Sequence, residues 1–473
     1  MPQGDQTETG ESEGLSAGES AAAARALRDD PDPLSPLAKA IYASGDHAVN
    51  VGLSSLSLVY LLFLTDVAGL RPALAGAVVW CARIIDGITD PAMGRISDRT
   101  RWRLGRRRPY FLLGALPYGL FFAMLWLTPF SGQTPMFVYY ALTYMALSVA
   151  STVLSVPYMA LIPEMARGYD ERTSLNTFRS AGAIAGVVVA ASLEPLAASM
   201  GGGPRAWASA GGALAVWVMV PWIPVFLASR ERAVTHREES GSMWRDLRDL
   251  LGHDHYRRLS ALYIASRIAL DVAGAALVYF MTYVIGRRED FAPAILVLML
   301  SAAASLPMWM ALARRREKHD IFIVGTLWWV GWLAVIFFAT PDWPRWTLFA
   351  ITAAVGVGYA AADLMPWAMV GEVIDEDELH TGRRREGLYN GAFTFLRKLG
   401  GASAIGLSGL LLDVSGYVPQ GEIQPESAVF AIRFLMGVVP SLFLAAAIAL
   451  AWRYPLDRAR HDEIADSIRS RDL

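Results

Sequence analysis

Residues 80–98 read WCARIIDGITDPAMGRISD, in which charged side chains interrupt an apolar stretch long enough to cross a membrane. Asp86 and Asp90 are four residues apart and therefore share one face of a helix. A charged side chain inside hydrocarbon costs about 2.5–3.5 kcal/mol on insertion scales. The acid pair therefore requires a counter-charge, which is either a mobile cation or a basic side chain.

Two interpretations of this acid pair stay open at this point. In the first, a cation lies between the carboxylates and relieves their repulsion, and Thr89 supplies a neutral oxygen. Sodium prefers such oxygen ligands, whereas a proton needs only one carboxylate. In the second, the acids pair statically with Arg83, Arg179 or Lys398 and fix the helix packing. The spacing favours the cation site.

The composition is that of a membrane protein. Of the 473 residues, 54% are hydrophobic and 18% are charged, whereas about 25% are charged in soluble proteins. The net charge of -2 gives no reason to expect nucleic acid as a partner. The sequence contains no P-loop or HExxH motif, and no GxSxG elbow lies within its apolar segments. We therefore expect neither direct use of ATP nor an enzyme.

Apolar segments of membrane-spanning length follow one another along the chain, and their length favours helices over strands. We predict an all-α polytopic membrane protein with twelve transmembrane helices. The predicted spans are 40–64, 73–97, 110–128, 136–162, 175–199, 207–228, 259–285, 291–312, 320–340, 346–371, 387–412 and 428–452.

The spans divide into two sets of six. Residues 156–182 and 365–401 share a pattern of Pro-aromatic, Glu, a charged loop and a span that opens with basic residues. Such a parallel repeat is typical of transporters built from two related bundles. The predicted units are a tail at 1–36, a first bundle at 37–228, a linker at 229–258, a second bundle at 259–453 and a tail at 454–473.

Arginine is concentrated in the loops after spans two, eight and ten and in the central stretch 229–258. Because basic loops stay in the cytoplasm, this bias predicts that both termini are cytoplasmic. The expected location is the plasma (inner) membrane, with the lipid bilayer as surroundings. The tail at 1–36 is poor in large apolar residues and is predicted to be disordered.

Further charges lie inside the predicted spans. Arg179 and Lys398 occupy similar positions in the two repeats, where they could balance the acid pair or hold a polar substrate. Arg267 and Asp271 are four residues apart and suit a local ion pair. Asp363 has no local partner, so it is either a substrate or proton site or the partner of a distant cation.

The motif DGITDPAMGRISDRTR at 86–101, with GRRRP at 105–109, resembles the signature of the glycoside–pentoside–hexuronide:cation symporters of the major facilitator superfamily. TDVAGL at 65–70 and YVIG at 283–286 also match that family. The resemblance covers about 40–455. It implies a twelve-helix major facilitator fold, alternating access and obligatory cation coupling.

The same resemblance implies roles for single residues. Asp86 and Asp90 match the family's cation-site carboxylates, and Thr89 and Thr152 match neighbouring polar positions. Arg179 and Lys398 match basic residues, of which Arg179 corresponds to the sugar-site arginine. The substrate side departs from the melibiose-type pattern at four positions. Asn50 and Ser155 stand where melibiose-type carriers have aspartates, and Met159 and Asp363 stand where those carriers have tryptophans.

These observations together predict a cation-coupled secondary symporter of a small polar solute, a sugar or glycoside, that functions as a monomer. A lysolipid carrier and an uncoupled uniporter or exporter of the same fold are the alternatives. No cofactor is expected besides co-transported sodium or a proton. The expected substrate residues are Asn50, Ser155, Arg179, Asp363 and Lys398. The expected inner gate comprises Asp98, Arg99, Gly105, Arg106, Arg107, Arg108, Glu164 and Glu372.

Overall fold

The computed structural model describes residues 34–166, 169–231, 250, 252–381, 386–454 and 463–464. All regular elements in these residues are helical. The long helices are α1 Pro36–Leu58, α2 Pro72–Arg99, α3 Pro109–Met124, α4 Gln133–Met165, α5 Tyr169–Ala191, α6 Pro204–Met219, α7 Asp254–Tyr279, α8 Phe291–Ala313, α9 Lys318–Phe337, α10 Arg345–Thr381, α11 Glu386–Val414 and α12 Glu426–Trp452.

Short helical pieces continue several of these helices. Tyr60–Leu62 and the π-helix Phe63–Val67 follow α1, and the π-helix Phe280–Val284 follows α7. Leu193–Ser199 follows α5, Trp222–Ala228 follows α6, and the 3-10 turn Arg288–Asp290 precedes α8.

The prediction of an all-helical membrane protein is confirmed. In the described part of the chain, ten helices are long and apolar enough to cross a bilayer. The α1 helix bends by 50° where it meets Tyr60–Val67, and α3 is a shorter apolar helix. Together with these two, the described helices are consistent with the expected twelve spans. Most of the predicted linker at 229–258 lies outside the described residues.

Helices α1–α6 are called the first half here, and α7–α12 the second half. Within the halves, α1 packs on α5, α2 on α4, and α7 on α12. The most extensive contact between the halves joins α2 to α11. A Cβ at Gly76 would lie 3.0 Å from the Cα of Gly406, so glycine allows these two backbones to approach closely. This approach brings the acidic face of α2 against α11.

The bundle has two ends. The end that carries the loop at 100–108 and the start of α1 is called the basic end, and the other is called the opposite end. Proline begins α1, α2, α3 and α6, where the missing amide proton costs nothing.

Candidate functional site

A central cavity of about 250 Å³ lies between the two halves. Its wall is mostly apolar, and most of the lining residues belong to the second half. Six of the lining side chains are charged. They are Arg83, Arg267, Asp271, Asp363, Arg397 and Lys398.

Asp86 lies beside this cavity, with its side chain only 2% exposed. The guanidinium of Arg83 donates to Asp86 Oδ2 at 2.5 Å, and the Ser148 hydroxyl donates to Oδ1. Arg83 also donates to the Tyr144 hydroxyl at 2.9 Å. Tyr144, Ser148 and Thr152 recur every four residues on α4, so one face of α4 supplies oxygens to the charged face of α2.

Asp90 lies one turn further along α2. The Thr152 hydroxyl donates to Asp90 Oδ1 at 2.5 Å, and the ammonium of Lys398 donates to Oδ2 at 2.6 Å. Lys398 Nζ is also 3.6 Å from Asp86 Oδ2. Because Lys398 belongs to α11, this ion pair joins the two halves at the level of the cavity.

The oxygens at this place are those predicted from the sequence to hold a cation. Thr89 and Thr152 hydroxyls are 3.5 Å apart, and the two carboxylates complete the group. Carboxylate and hydroxyl oxygens are the ligands that a hard cation prefers. In this arrangement Arg83 and Lys398 neutralise both acids. The ion pairs considered from the sequence thus form on the same side chains as the predicted cation site, and the cation site itself stays a prediction.

Arg179 lies in a different charge group, away from the acid pair. Its guanidinium donates to Asp46 Oδ2 at 2.6 Å and to Oδ1 at 3.0 Å. The Tyr158 hydroxyl donates to the same Asp46 Oδ2 at 2.6 Å. A Cβ at Gly186 would lie 2.7 Å from the His47 carbonyl oxygen, so α5 lies close against α1. That contact sets Arg179 opposite Asp46, a partner the sequence analysis did not assign.

The predicted substrate residues are divided by the structure. Asn50, Asp363 and Lys398 line the cavity, whereas Ser155 and Arg179 are outside its lining. The Asn50 amide donates to the Asp46 carbonyl oxygen at 2.8 Å.

The second half supplies its own ion pairs to the cavity wall. The guanidinium of Arg267 donates to Asp271 Oδ2 at 2.8 Å and to Oδ1 at 2.5 Å, as the spacing of four suggested. Arg267 Nη1 is 3.6 Å from Asp363, whose side chain is 39% exposed. Asp363 is therefore held loosely and faces the cavity. Arg397 also lines the cavity, although it was not among the site residues predicted from the sequence.

The expected gate residues form two clusters at the basic end, one in each half. Arg107 contacts Glu164 at 2.6 Å and Asp98 at 2.6 Å, and Arg106 contacts Glu164 at 2.7 Å. Glu372 instead pairs with Lys318 at 2.8 Å in the second half. The side chain of Arg99 is exposed.

Glu231 anchors the basic loop from the other side. Its carboxylate accepts three successive backbone amides, from Arg106 at 2.5 Å, Arg107 at 2.7 Å and Arg108 at 2.6 Å. Gly105 precedes them with φ 112°, a conformation that favours glycine and turns the amides toward one point. Glu231 was not among the residues predicted from the sequence for this role.

The opposite end is closed by hydrogen bonds between the halves. Asp66 accepts from the Tyr283 hydroxyl at 2.5 Å and from the Tyr417 hydroxyl at 2.5 Å. Thr65 Oγ1 lies 2.9 Å from the Tyr279 hydroxyl. Burial, followed by the Asp66 carboxylate, raises the pKa of Tyr417, so that phenol stays protonated and donates. We call this group the outer latch.

An ion pair supports the outer latch. Arg288 donates to Glu194, whose side chain is 2% exposed, and this contact also crosses between the halves.

A short sequence repeat underlies the outer latch. Residues 63–69 read FLTDVAG, and residues 280–286 read FMTYVIG. Each begins a π-helix and ends at a glycine with positive φ, 76° at Gly69 and 71° at Gly286. Asp66 and Tyr283 are therefore equivalent positions that bind each other across the interface. This repeat was readable in the sequence and could have located the closure.

Comparisons with known proteins agree with this architecture. Residues 41–458 match the family described as MFS/sugar transport protein. The chain is 31% identical to the uncharacterized symporter sll1374 of Synechocystis, over 92% of this chain and 96% of that protein. It is 29% identical to the inner membrane symporter YicJ of Escherichia coli, over 87% and 90%.

Two further likenesses extend the comparison. The chain is 26% identical to the sodium-dependent lysophosphatidylcholine symporter 1-A of Danio rerio, over 90% of this chain and 86% of that protein. A bacterial homologue of the lysosomal transporter Spinster has the same fold, with a TM-score of 0.69, 13% identity and coverage of 92% and 99%. The chain belongs to the MFS/sugar transport family and is a multi-pass membrane transporter similar to the glycoside–pentoside–hexuronide:cation symporters.

Proposed function

We propose that this protein is a cation-coupled secondary symporter. The observation that carries the proposal is the ion pair between Asp90 on α2 and Lys398 on α11, at 2.6 Å beside the cavity. A cation that binds Asp86 and Asp90 must replace Lys398 there, and its binding therefore changes a contact between the halves. Linkage of ion binding to the interface between halves is what coupled transport requires.

The proposed cycle uses both ends of the bundle. The outer latch closes the opposite end in this conformation, and only the fully loaded or fully empty carrier changes its opening. The loop at 100–108, anchored by Glu231 and Glu164, acts at the other end. For each net charge moved across the membrane, the membrane potential would contribute about 2.3 kcal/mol per 100 mV to the free energy of transport.

We assign the basic end to the cytoplasm, because basic loops are retained there. Both termini then lie in the cytoplasm, and the protein lies in the plasma (inner) membrane. Two relatives, from Synechocystis and Escherichia coli, are named symporters, and the name of the Escherichia coli protein, an inner membrane symporter, supports this location.

The substrate is proposed to be a small solute, with a sugar or glycoside as the first candidate. The family description and the name of a putative glycoside/cation symporter from Escherichia coli, 28% identical, support this choice. A lysolipid is the second candidate. The largely apolar cavity wall favours it, as does the similarity to a lysophosphatidylcholine symporter.

Transport assays with Asp86→Cys and Asp90→Cys test the coupling. We expect both variants to reach the membrane in normal amounts and to lose uptake stimulated by sodium or by protons. The control is Asp342→Asn, which changes an exposed acid in the loop before α10. Normal cation-driven uptake in both cysteine variants would refute the assignment.

A further inference from the structure

The cavity has two chemically different regions. The first half contributes small polar side chains such as Asn50, Ser54 and Ser57. The second half contributes a continuous apolar surface. It includes Leu277, Phe280, Met299, Trp329, Leu333 and Met436. The first half adds fewer apolar side chains, which are Leu53, Leu58, Val79 and Val187. A solute that fills this space therefore gains most of its apolar contact from the second half.

Arg397 is a basic side chain of this cavity that lacks an acidic partner. Among the described residues it has no ion pair or hydrogen bond, although it lines the cavity and is exposed there. Its neighbour Lys398 is fully engaged by Asp90 and Asp86. A guanidinium presents a rigid fork of donors that matches a carboxylate or phosphate.

The sum of the charges around the cavity also leaves one positive charge unbalanced when the carrier has bound its cation. The basic side chains of the cavity cluster are Arg83, Arg267, Arg397 and Lys398. Their acidic counterparts are Asp86, Asp90, Asp271 and Asp363. The empty cluster is therefore neutral, and one bound monovalent cation leaves it with a charge of +1.

An anionic substrate would restore neutrality. The cation that takes Asp90 releases Lys398, which then lies next to Arg397 with no acid to bind. A net charge in a low-dielectric bundle is costly, so a neutral complex changes conformation more easily. The coupling cation thereby creates the binding site for an anion.

We infer that the substrate is an amphipathic organic anion. Its carboxylate or phosphate is held by Arg397 and by the released Lys398, and its apolar body packs on the second half. This inference rests on the proposed cation coupling and adds the substrate class to it. An acidic glycoside and an anionic lysolipid share this chemistry, and the experiment separates the two sources.

The test measures binding to the full chain in lipid nanodiscs by calorimetry. One probe pair is p-nitrophenyl β-D-glucuronide and p-nitrophenyl β-D-glucoside, which differ in the carboxylate. The other is lysophosphatidylglycerol and lysophosphatidylcholine with the same acyl chain. Each is measured in sodium chloride, and in choline chloride at pH 7.5 and 5.5.

We expect the anionic member of one pair to bind about 10-fold tighter or more than its neutral partner when the coupling cation is present. Arg397→Gln should remove this preference, and Arg397→Lys should retain part of it. Because Arg397 has no partner to strand, its replacement should leave folding intact. The matched control is Arg315→Gln, which removes one exposed charge in the loop after α8 and should change nothing.

Two results would overturn the inference. One is equal or tighter binding of the neutral member in both pairs, and the other is an unchanged preference in Arg397→Gln. Binding of radioactive sodium, and its loss in Asp90→Asn, is measured separately. If sodium binds and the anion preference is absent, the substrate class fails and the coupling stands. If the preference depends on Arg397 but no cation alters it, the substrate class stands and the coupling fails.

Discussion

Replacement of Lys398 by glutamine tests whether this side chain competes with the coupling cation for the acids of α2 or only forms a structural ion pair with them. In this structure the Lys398 ammonium forms an ion pair with Asp90 at 2.6 Å and lies 3.6 Å from Asp86. If a transported cation uses these acids, Lys398 competes with it. Lys398→Gln should then tighten cation binding, whereas loss of a purely structural ion pair should not.

The expected gain follows from the geometry. At 2.6 Å and an effective dielectric constant of about 20, the Lys398–Asp90 attraction is about 6 kcal/mol. Desolvation of the two partly exposed groups offsets most of it, which leaves about 1.5–3 kcal/mol net for a charged hydrogen bond. The cation should therefore bind roughly 10- to 100-fold tighter in the variant.

Thermal unfolding in detergent, with sodium titrated against choline at constant ionic strength, measures this gain. Without the cation, the variant should melt below the wild type, because Asp90 loses its partner. With the cation, its midpoint should rise more steeply than that of the wild type. The Asp342→Asn control should follow the wild type. A sodium response that is unchanged or lost in Lys398→Gln would refute the competition argument.

Three other perturbations test separate parts of the structure. Tyr283→Phe removes one hydrogen bond to Asp66, which contributes about 1.5–3 kcal/mol to closure of the opposite end. Maleimide that enters from the opposite end should therefore label a reporter cysteine in the cavity about 10-fold faster. Unchanged labelling would contradict the role of the outer latch. Asp363→Asn should change the substrate KM while cation affinity stays constant, since Arg267 keeps its other acid; an unaltered KM would make Asp363 structural. Glu231→Ala should speed hydrogen exchange of the three amides it accepts, and equal exchange rates would oppose its anchoring role.

The sequence predicted the architecture because membrane spans depend on length and hydropathy, which are local properties. It also predicted the acid pair of α2, because a charge in an apolar stretch is conspicuous. The contact of Lys398 with that pair was one of the expected outcomes, and the structure places it at 2.6 Å from Asp90. The roles of these residues in transport stay predictions.

Partners between distant helices could not be predicted in the same way. Arg179 and Asp46 meet because of how α5 rotates against α1, and hydropathy does not report that rotation. Similarly, Arg397 and Lys398 are neighbours in sequence, yet only Lys398 reaches the acids of α2. The close packing of α2 on α11 sets how the residues of the two helices align. That alignment decides which of the two adjacent basic residues is left without an acidic partner.

The outer latch has a consequence for the symmetry between the two halves. Two identical six-helix units related by a twofold axis would present the same residue twice at positions 66 and 283. Two aspartates there would repel each other, and two tyrosines would lack the carboxylate that accepts from both Tyr283 and Tyr417. The hydrogen bond between Asp66 and Tyr283 therefore requires different residues at the two equivalent positions. A single chain with two halves can have such a difference, whereas a symmetric dimer of identical chains cannot.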